Sequence, residues 1–188
     1  MKTDKIDERI RLLSRFRDAE LEPAAGLLEN ALRLGGKILL FGNGGSATQA
    51  SHFAAELVNK FYLRRRALPA ISLASDTAAI TSIANDDEFA QVFARQIDAL
   101  GAADDVAVGI TTSGRSANVL EALRLAKSRR MRTVALCGRH DVELIKIPAD
   151  AVLRVDSSDT PIIQEMHLFM LHTLAEMIER RLSGEQHD

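Results

Sequence analysis

Four side chains in this sequence are of the kinds that acid–base or metal chemistry uses. His52 and Glu56 are four residues apart, so a helix would stack them on one face, within reach of one metal ion or one substrate. Gln164 and His172 are eight apart, about 80° around a helix axis, and could face one site. Each pair also has a plainer reading, because a His and Glu at this spacing often form a surface pair and a helical histidine is often simply hydrogen-bonded. The same caution covers Glu165, His167 and His140, and His187 in the tail is assigned no role.

A second group of residues suits an anion. Thr111-Thr112-Ser113-Gly114-Arg115-Ser116 offers four hydroxyls and a glycine ahead of an expected helix, whose first N–H groups and dipole favour negative charge. That is a phosphate cradle without a lysine. The alternative is a loop in which Ser116 merely caps the helix. Gly42-Asn43-Gly44-Gly45-Ser46 is a comparable loop, but it fits neither the Walker spacing nor G-x-G-x-x-G. Asn85-Asp86-Asp87 closes a helical stretch and reads as a polar turn; Arg64-Arg65-Arg66 reads as a solvated connection.

These residues need a scaffold, and the apolar pattern supplies one. Short β-prone runs at 37–42, 69–74, 105–110, 132–137 and 151–155 lack polar–apolar alternation, as expected for parallel strands covered on both faces. The segments 46–61, 76–99 and 116–130 are long enough for helical crossovers, and a last helix is expected over about 162–181. Apolar spacing from Ile6 to Leu34 predicts two helices, the second starting at Pro23 and ended by Gly35-Gly36. The expected fold is an α/β, doubly wound, five-stranded parallel sheet with an N-terminal helical pair. Its units are a helical pair at 1–34, assigned to oligomerisation although packing within the chain would use the same apolar residues, the sheet domain at 35–182, and a frayed tail at 183–188. Ligands of such sheets bind beyond the carboxyl ends of the strands, where both loops fall.

Composition excludes more than it names. The 188 residues carry 24 Lys plus Arg against 26 Asp plus Glu, which gives no electrostatic reason to bind nucleic acid. With one cysteine, Cys137, neither a disulfide framework nor a thiolate metal site is expected. No apolar run is long enough to span a bilayer, and the N-terminus lacks the apolar stretch of a signal peptide, so the expected location is the cytoplasm.

In order and spacing, GNGGSATQASHFAAEL, AITSIANDDEF, TTSGRSANVLEAL and IIQEMHLFMLH resemble the sugar-isomerase (SIS) domain of the phosphoheptose isomerases, over nearly the whole chain. The resemblance implies interconversion of sedoheptulose 7-phosphate and glycero-manno-heptose 7-phosphate through an enediol, supplying heptose for lipopolysaccharide or another surface glycan. It implies Glu56 as catalytic base and His172 as its acid/base partner. Thr111, Thr112, Ser113 and Ser116 match the phosphate loop; Asn43, Gly44, Gly45, Ser46, Asn85, Asp86, Glu56 and Gln164 match substrate contacts. His52, Glu56, Gln164 and His172 match the ligands of a zinc ion, and family members place the site between subunits of a homotetramer. A metal-bound carboxylate is a weaker base, so Glu56 would be ligand in one state and base in another. The chain departs from the family pattern at Ile162 and Lys60, where many relatives have arginine, and in a shorter segment between Gly138 and Ala149.

Two other readings belong to other classes. One is a catalytically silent SIS adaptor that binds the bacterial replication initiator; the presence of both Glu56 and His172 favours the enzyme. The other is a sugar-phosphate-sensing regulator, for which a chain of this length leaves no room for a DNA-binding domain.

Overall fold

A computed structural model describes residues 2–140, 143, 144 and 146–184. His187 and most of the expected tail lie outside the described residues. Helices α1 (Lys2–Arg15) and α2 (Glu22–Arg33) come first, separated by a 3-10 turn at Asp18–Leu21. Pro23 occupies the first turn of α2, where its missing N–H costs nothing, and Gly35 leaves the helix at φ +85°.

Five strands follow: β1 (Ile38–Gly42), β2 (Ala70–Ser72), β3 (Val106–Thr111), β4 (Arg132–Cys137) and β5 (Ala151–Arg154). They pair in parallel in the order β2-β1-β3-β4-β5. The connecting helices are α3 (Gly45–Val58), α4 (Thr77–Asp86), α5 (Ala94–Leu100) and α6 (Ala117–Ser128), and α7 (Thr160–Ser183) closes the chain. The expected 76–99 crossover is thus broken, with the polar Asn85-Asp86-Asp87 turn ending α4.

Alternate strand residues feed two cores. Ile38, Leu40, Val106, Val108, Ile110, Val134 and Leu136 pack under α2, α3 and α7. Leu39, Phe41, Ala107, Ala135 and Cys137 pack under α5 and α6. Gly109 lets α6 approach closely, since a Cβ there would stand 3.0 Å from Leu123 Cδ1 and Val119 Cγ1. The expectation of strands covered on both faces holds for β1 and β3, which are buried throughout. It fails at the sheet edges, where Ile71 of β2 and Val152 of β5 are exposed.

Arg65 overturns the reading of Arg64-Arg65-Arg66 as a solvated connection. Its side chain is 5% exposed and pairs with Glu179 of α7, itself 1% exposed. The N-terminal helix is tied to α7 by exposed pairs, Arg9 with Glu165 and Lys5 with Asp159, while Ile6, Ile10 and Leu13 remain uncovered on its outer side. No helix among the described residues is long and apolar enough to cross a membrane.

His167 of α7 is fully buried, its Nε2 3.2 Å from the carbonyl of Cys137 and its Nδ1 without a partner. Burial pushes its pKa down to about 4. The unfolded chain takes up this proton near pH 6.5 and the folded chain only near 4, so the contribution is intact above about 6.5 and is lost as pH falls to about 4. That window corresponds to roughly 3 kcal/mol. Urea titrations at about pH 7.5 and about pH 4.5 should show His167→Gln losing less stability on acidification than the parent chain; equal losses would remove His167 from the acid response.

Candidate active site

The connections of β1 and β3 leave in opposite directions, to β2 on one side and β4 on the other, and open a crevice at the carboxyl ends of these neighbouring strands. Two loops line it. After β1, Gly44 turns the chain at φ +53° into α3. Gly45 has no room for a side chain, because a Cβ would stand 2.4 Å from Gln164 Nε2. Gly42 is equally confined, by Ile110 O and Ser46 Cβ, each 2.8 Å from such an atom. The glycines of this loop therefore answer to packing and turn geometry.

After β3, buried Thr111 places its Oγ1 3.0 Å from Ser116 Oγ, closing the hydroxyl loop on itself. Ser116 does stand at the N-cap of α6, yet its side chain does not cap this helix. The capping alternative therefore does not account for Ser116: the N–H of Val119 goes to Asn118 Oδ1 at 3.0 Å, that of Leu120 to Ser116 O, and those of Ala117 and Asn118 are left for another partner. Gly114, at φ +66°, turns the loop, and Ser113 Oγ accepts from the N–H of Arg115. The two loops are tied by Asn43 and Asn118, whose amides donate to each other's oxygens at 2.8 Å.

Two turns into α3, roughly 10 Å of rise beyond Gly45, lies a second centre. His52 Nε2 is 2.8 Å from His172 Nε2 of α7, with the rings edge to face, and 3.4 Å from Glu56 Oε1. Two nitrogens at this distance share one proton, so at least one ring is neutral. Burial, and then the neighbouring His52, hold the His172 pKa below its ordinary value, which outweighs the pull of Glu56 and makes His172 a neutral ring at neutral pH. Phe61 stacks on its other side, with centroids 5.6 Å apart. His52, His172, Thr48, Gln49 and Leu168 line an open groove of about 410 Å³. A tighter cavity under α1, about 120 Å³ and lined by Arg11, Phe16, Arg154 and Met170 among others, contains no histidine.

The structure thus brings together His52, Glu56 and His172 from helices more than a hundred residues apart in sequence. Gln164 lies two turns nearer the start of α7, against Gly45, so it belongs with the loop after β1. Asn85 and Asp86 lie exposed on α4, the Asn85 amide donating to Asp86. Ile162 is in the core and Lys60 is exposed. Two imidazoles, a carboxylate and a carboxamide are donors that suit zinc. Among the described residues, however, no group of three or more His, Cys, Asp or Glu is arranged to hold a metal; the imidazoles are hydrogen-bonded to each other instead.

Two contributors escaped the sequence reading. Asn118 joins the loops, and Gln49, 8% exposed, donates from Nε2 to the carbonyl of Gln164 at 2.6 Å while its Oε1 is buried without a partner. The spacing of residues 49, 52 and 56 along one helical face is the signal that could have found Gln49.

The sequence profile of the SIS domain matches residues 3–138. A phosphoheptose isomerase of Helicobacter pylori is 51% identical over 87% of this chain and 84% of its own length. One from a Geobacter species is 51% identical over 86% of this chain and 84% of its own length. Among solved structures, the phosphoheptose isomerase of Neisseria gonorrhoeae superposes with TM-score 0.84 at 39% identity, covering 94% of each chain. That of Francisella tularensis gives 0.87 at 36% identity, covering 96% of this chain and 99% of its own.

Removing one partner of the Asn43–Asn118 pair leaves a half-buried amide unsatisfied, a cost of about 1–3 kcal/mol, and frees the two loops from each other. Asn118→Ala should weaken the binding of inorganic phosphate by about tenfold, equivalent to about 1.4 kcal/mol. Titration calorimetry measures this, and an unchanged affinity would separate the amide pair from the anion loop.

Proposed function

Since this chain belongs to the phosphoheptose isomerases of the SIS-domain family, we propose that Glu56 and His172 carry its reaction. The protein is an aldose–ketose isomerase that interconverts sedoheptulose 7-phosphate and glycero-manno-heptose 7-phosphate. The observation that supports the residue assignment is the convergence of His52, Glu56 and His172: His52 and His172 line one groove, and Glu56 stands beside His52 near the C-terminal end of α3, the helix that begins at the Gly42–Ser46 loop.

The chemistry divides between the two centres. Thr111, Thr112, Ser113, Ser116 and the N-terminus of α6 hold the phosphate through hydroxyls and N–H groups, so the near-neutral chain needs no basic patch. Asn43, Gly44, Gly45, Ser46, Gln164 and, from α4, Asn85 and Asp86 complete the substrate contacts. In the ketose-to-aldose direction Glu56 takes a proton from C1, producing the enediol, and returns it to C2. His172, neutral at working pH, removes the proton of the C1 hydroxyl and supplies the one that the C2 oxygen gains. His52, sharing a proton with His172, sets the orientation of that ring.

His52, Glu56, Gln164 and His172 would hold a zinc ion only once the two imidazoles, hydrogen-bonded to each other here, part and give up their shared proton; when bound it would polarise the substrate carbonyl. The Ile6, Ile10 and Leu13 stripe on α1, with these side chains 58%, 59% and 48% exposed, supports self-association into a homotetramer with sites at subunit interfaces. The product supplies heptose for lipopolysaccharide or another surface glycan in the cytoplasm. The relatives named above are isomerases, and the adaptor reading gains nothing from the groove.

Glu56→Gln should lower turnover of sedoheptulose 7-phosphate, followed by NMR, by more than about 10²-fold and abolish solvent proton exchange at the reacting carbon; a variant that still exchanges removes Glu56 from the mechanism. Native mass spectrometry reads metal and assembly together. It should show four chains with one zinc per chain, zinc lost in His52→Ala with the tetramer retained, and the tetramer lost in Ile10→Lys. A metal-free tetramer of unaltered activity would overturn the zinc assignment.

A further inference from the structure

We infer that the buried Arg65–Glu179 ion pair is a positioning device for this site, fixing the Glu56 end of α3 and the Phe61 ring against His172 at once. The inference rests on the assignment of Glu56 and His172 made above.

Glu179 lies on α7 two turns beyond His172 and accepts the N–H groups of Phe61, Tyr62 and Leu63, the segment that follows α3. Burial raises its pKa, but these three donors and Arg65 outweigh burial and hold the carboxyl below its ordinary value, so it is charged. Arg65 Nε stands 3.1 Å from Glu179 Oε1, outside hydrogen-bond alignment. Its two Nη atoms are spent elsewhere. One donates to Leu57 O at 2.8 Å and Arg66 O at 3.0 Å, the other to Glu56 O at 2.8 Å.

A guanidinium therefore closes the last turn of the helix that carries His52 and Glu56, where cationic donors suit the exposed carbonyls and the dipole. The carboxylate it faces holds the backbone of Phe61, whose ring packs on His172. Neither residue lines the groove or reaches the reacting atoms. What they share is that each side of the Glu56–His172 pair is anchored to one buried charge pair. Lysine could keep the charge at position 65 but lacks the planar fork needed to hold Glu56 O and Leu57 O together.

The test uses the full-length protein and sedoheptulose 7-phosphate. Arg65→Lys and Phe61→Leu should each lower kcat by about 10- to 100-fold with KM changed less than about twofold, because reacting groups are misplaced while the phosphate loop is untouched. Circular dichroism and sedimentation velocity verify that each variant is folded and assembled. Glu179→Gln should give the same split if it folds; if it does not, the other two variants decide. Folded variants that melt at lower temperature but keep the parent kcat would make the pair purely structural and overturn the inference. Glu56→Gln is measured alongside: an active Glu56→Gln would sink the assignment of the base, whereas an inactive Glu56→Gln beside unaltered Arg65→Lys and Phe61→Leu would sink the positioning role alone.

Discussion

A parallel sheet cannot return along its own edge, so every strand must be followed by a crossover, and the place where crossovers change direction is left open. In this protein that place lies between β1 and β3, and almost everything chemical depends on it. Both loops emerge there on fully buried strands, which cannot shift without breaking two cores. The helices that follow point their N-termini at the crevice, so the sheet supplies the kind of terminus that suits an anion before any side chain is counted.

The second centre has a different support. His52 and His172 meet only because α3 and α7 lie on the same face of the sheet, packed over Ile38, Leu40, Val108 and Ile110 through Ala50, Phe53, Leu171 and Leu174. Apolar burial of this kind sets helix positions firmly, whereas the exposed pairs that bind α1 to α7 contribute little each. The buried Arg65–Glu179 pair is of another sort. Its charges are out of water, and its worth lies in which groups it holds in register more than in net stability.

Much of this was legible in the sequence. All five strands follow from short apolar, β-prone runs, the loops after β1 and β3 from the Gly- and Ser/Thr-rich segments that end two of them, and His52 with Glu56 shares a face by spacing alone. The edge strands and Arg65 were misread for related reasons. Whether a strand is covered on both faces depends on its place in the sheet, which periodicity does not encode. An arginine among arginines looks solvated until a carboxylate from 114 positions later arrives beside it. Asn118 and Gln49 were missed because each works through one partner distant in the chain, Asn43 in one case and the Gln164 carbonyl in the other.

By itself, the sequence determined the order of the strands, the two-faced character of the interior ones, the hydroxyl loop ahead of α6 and the family to which its motifs belong. These are local properties, set by backbone preference, side-chain spacing and the composition of short segments. Tertiary structure alone decided that His172 stands 2.8 Å from His52, that Gln164 lies against Gly45, and that Ser116 bonds Thr111 instead of capping its helix. Those are distances between segments separated by a turn or by most of the chain. They follow from how the helices pack on the sheet, which depends on the shapes of both cores together and on no single stretch of sequence.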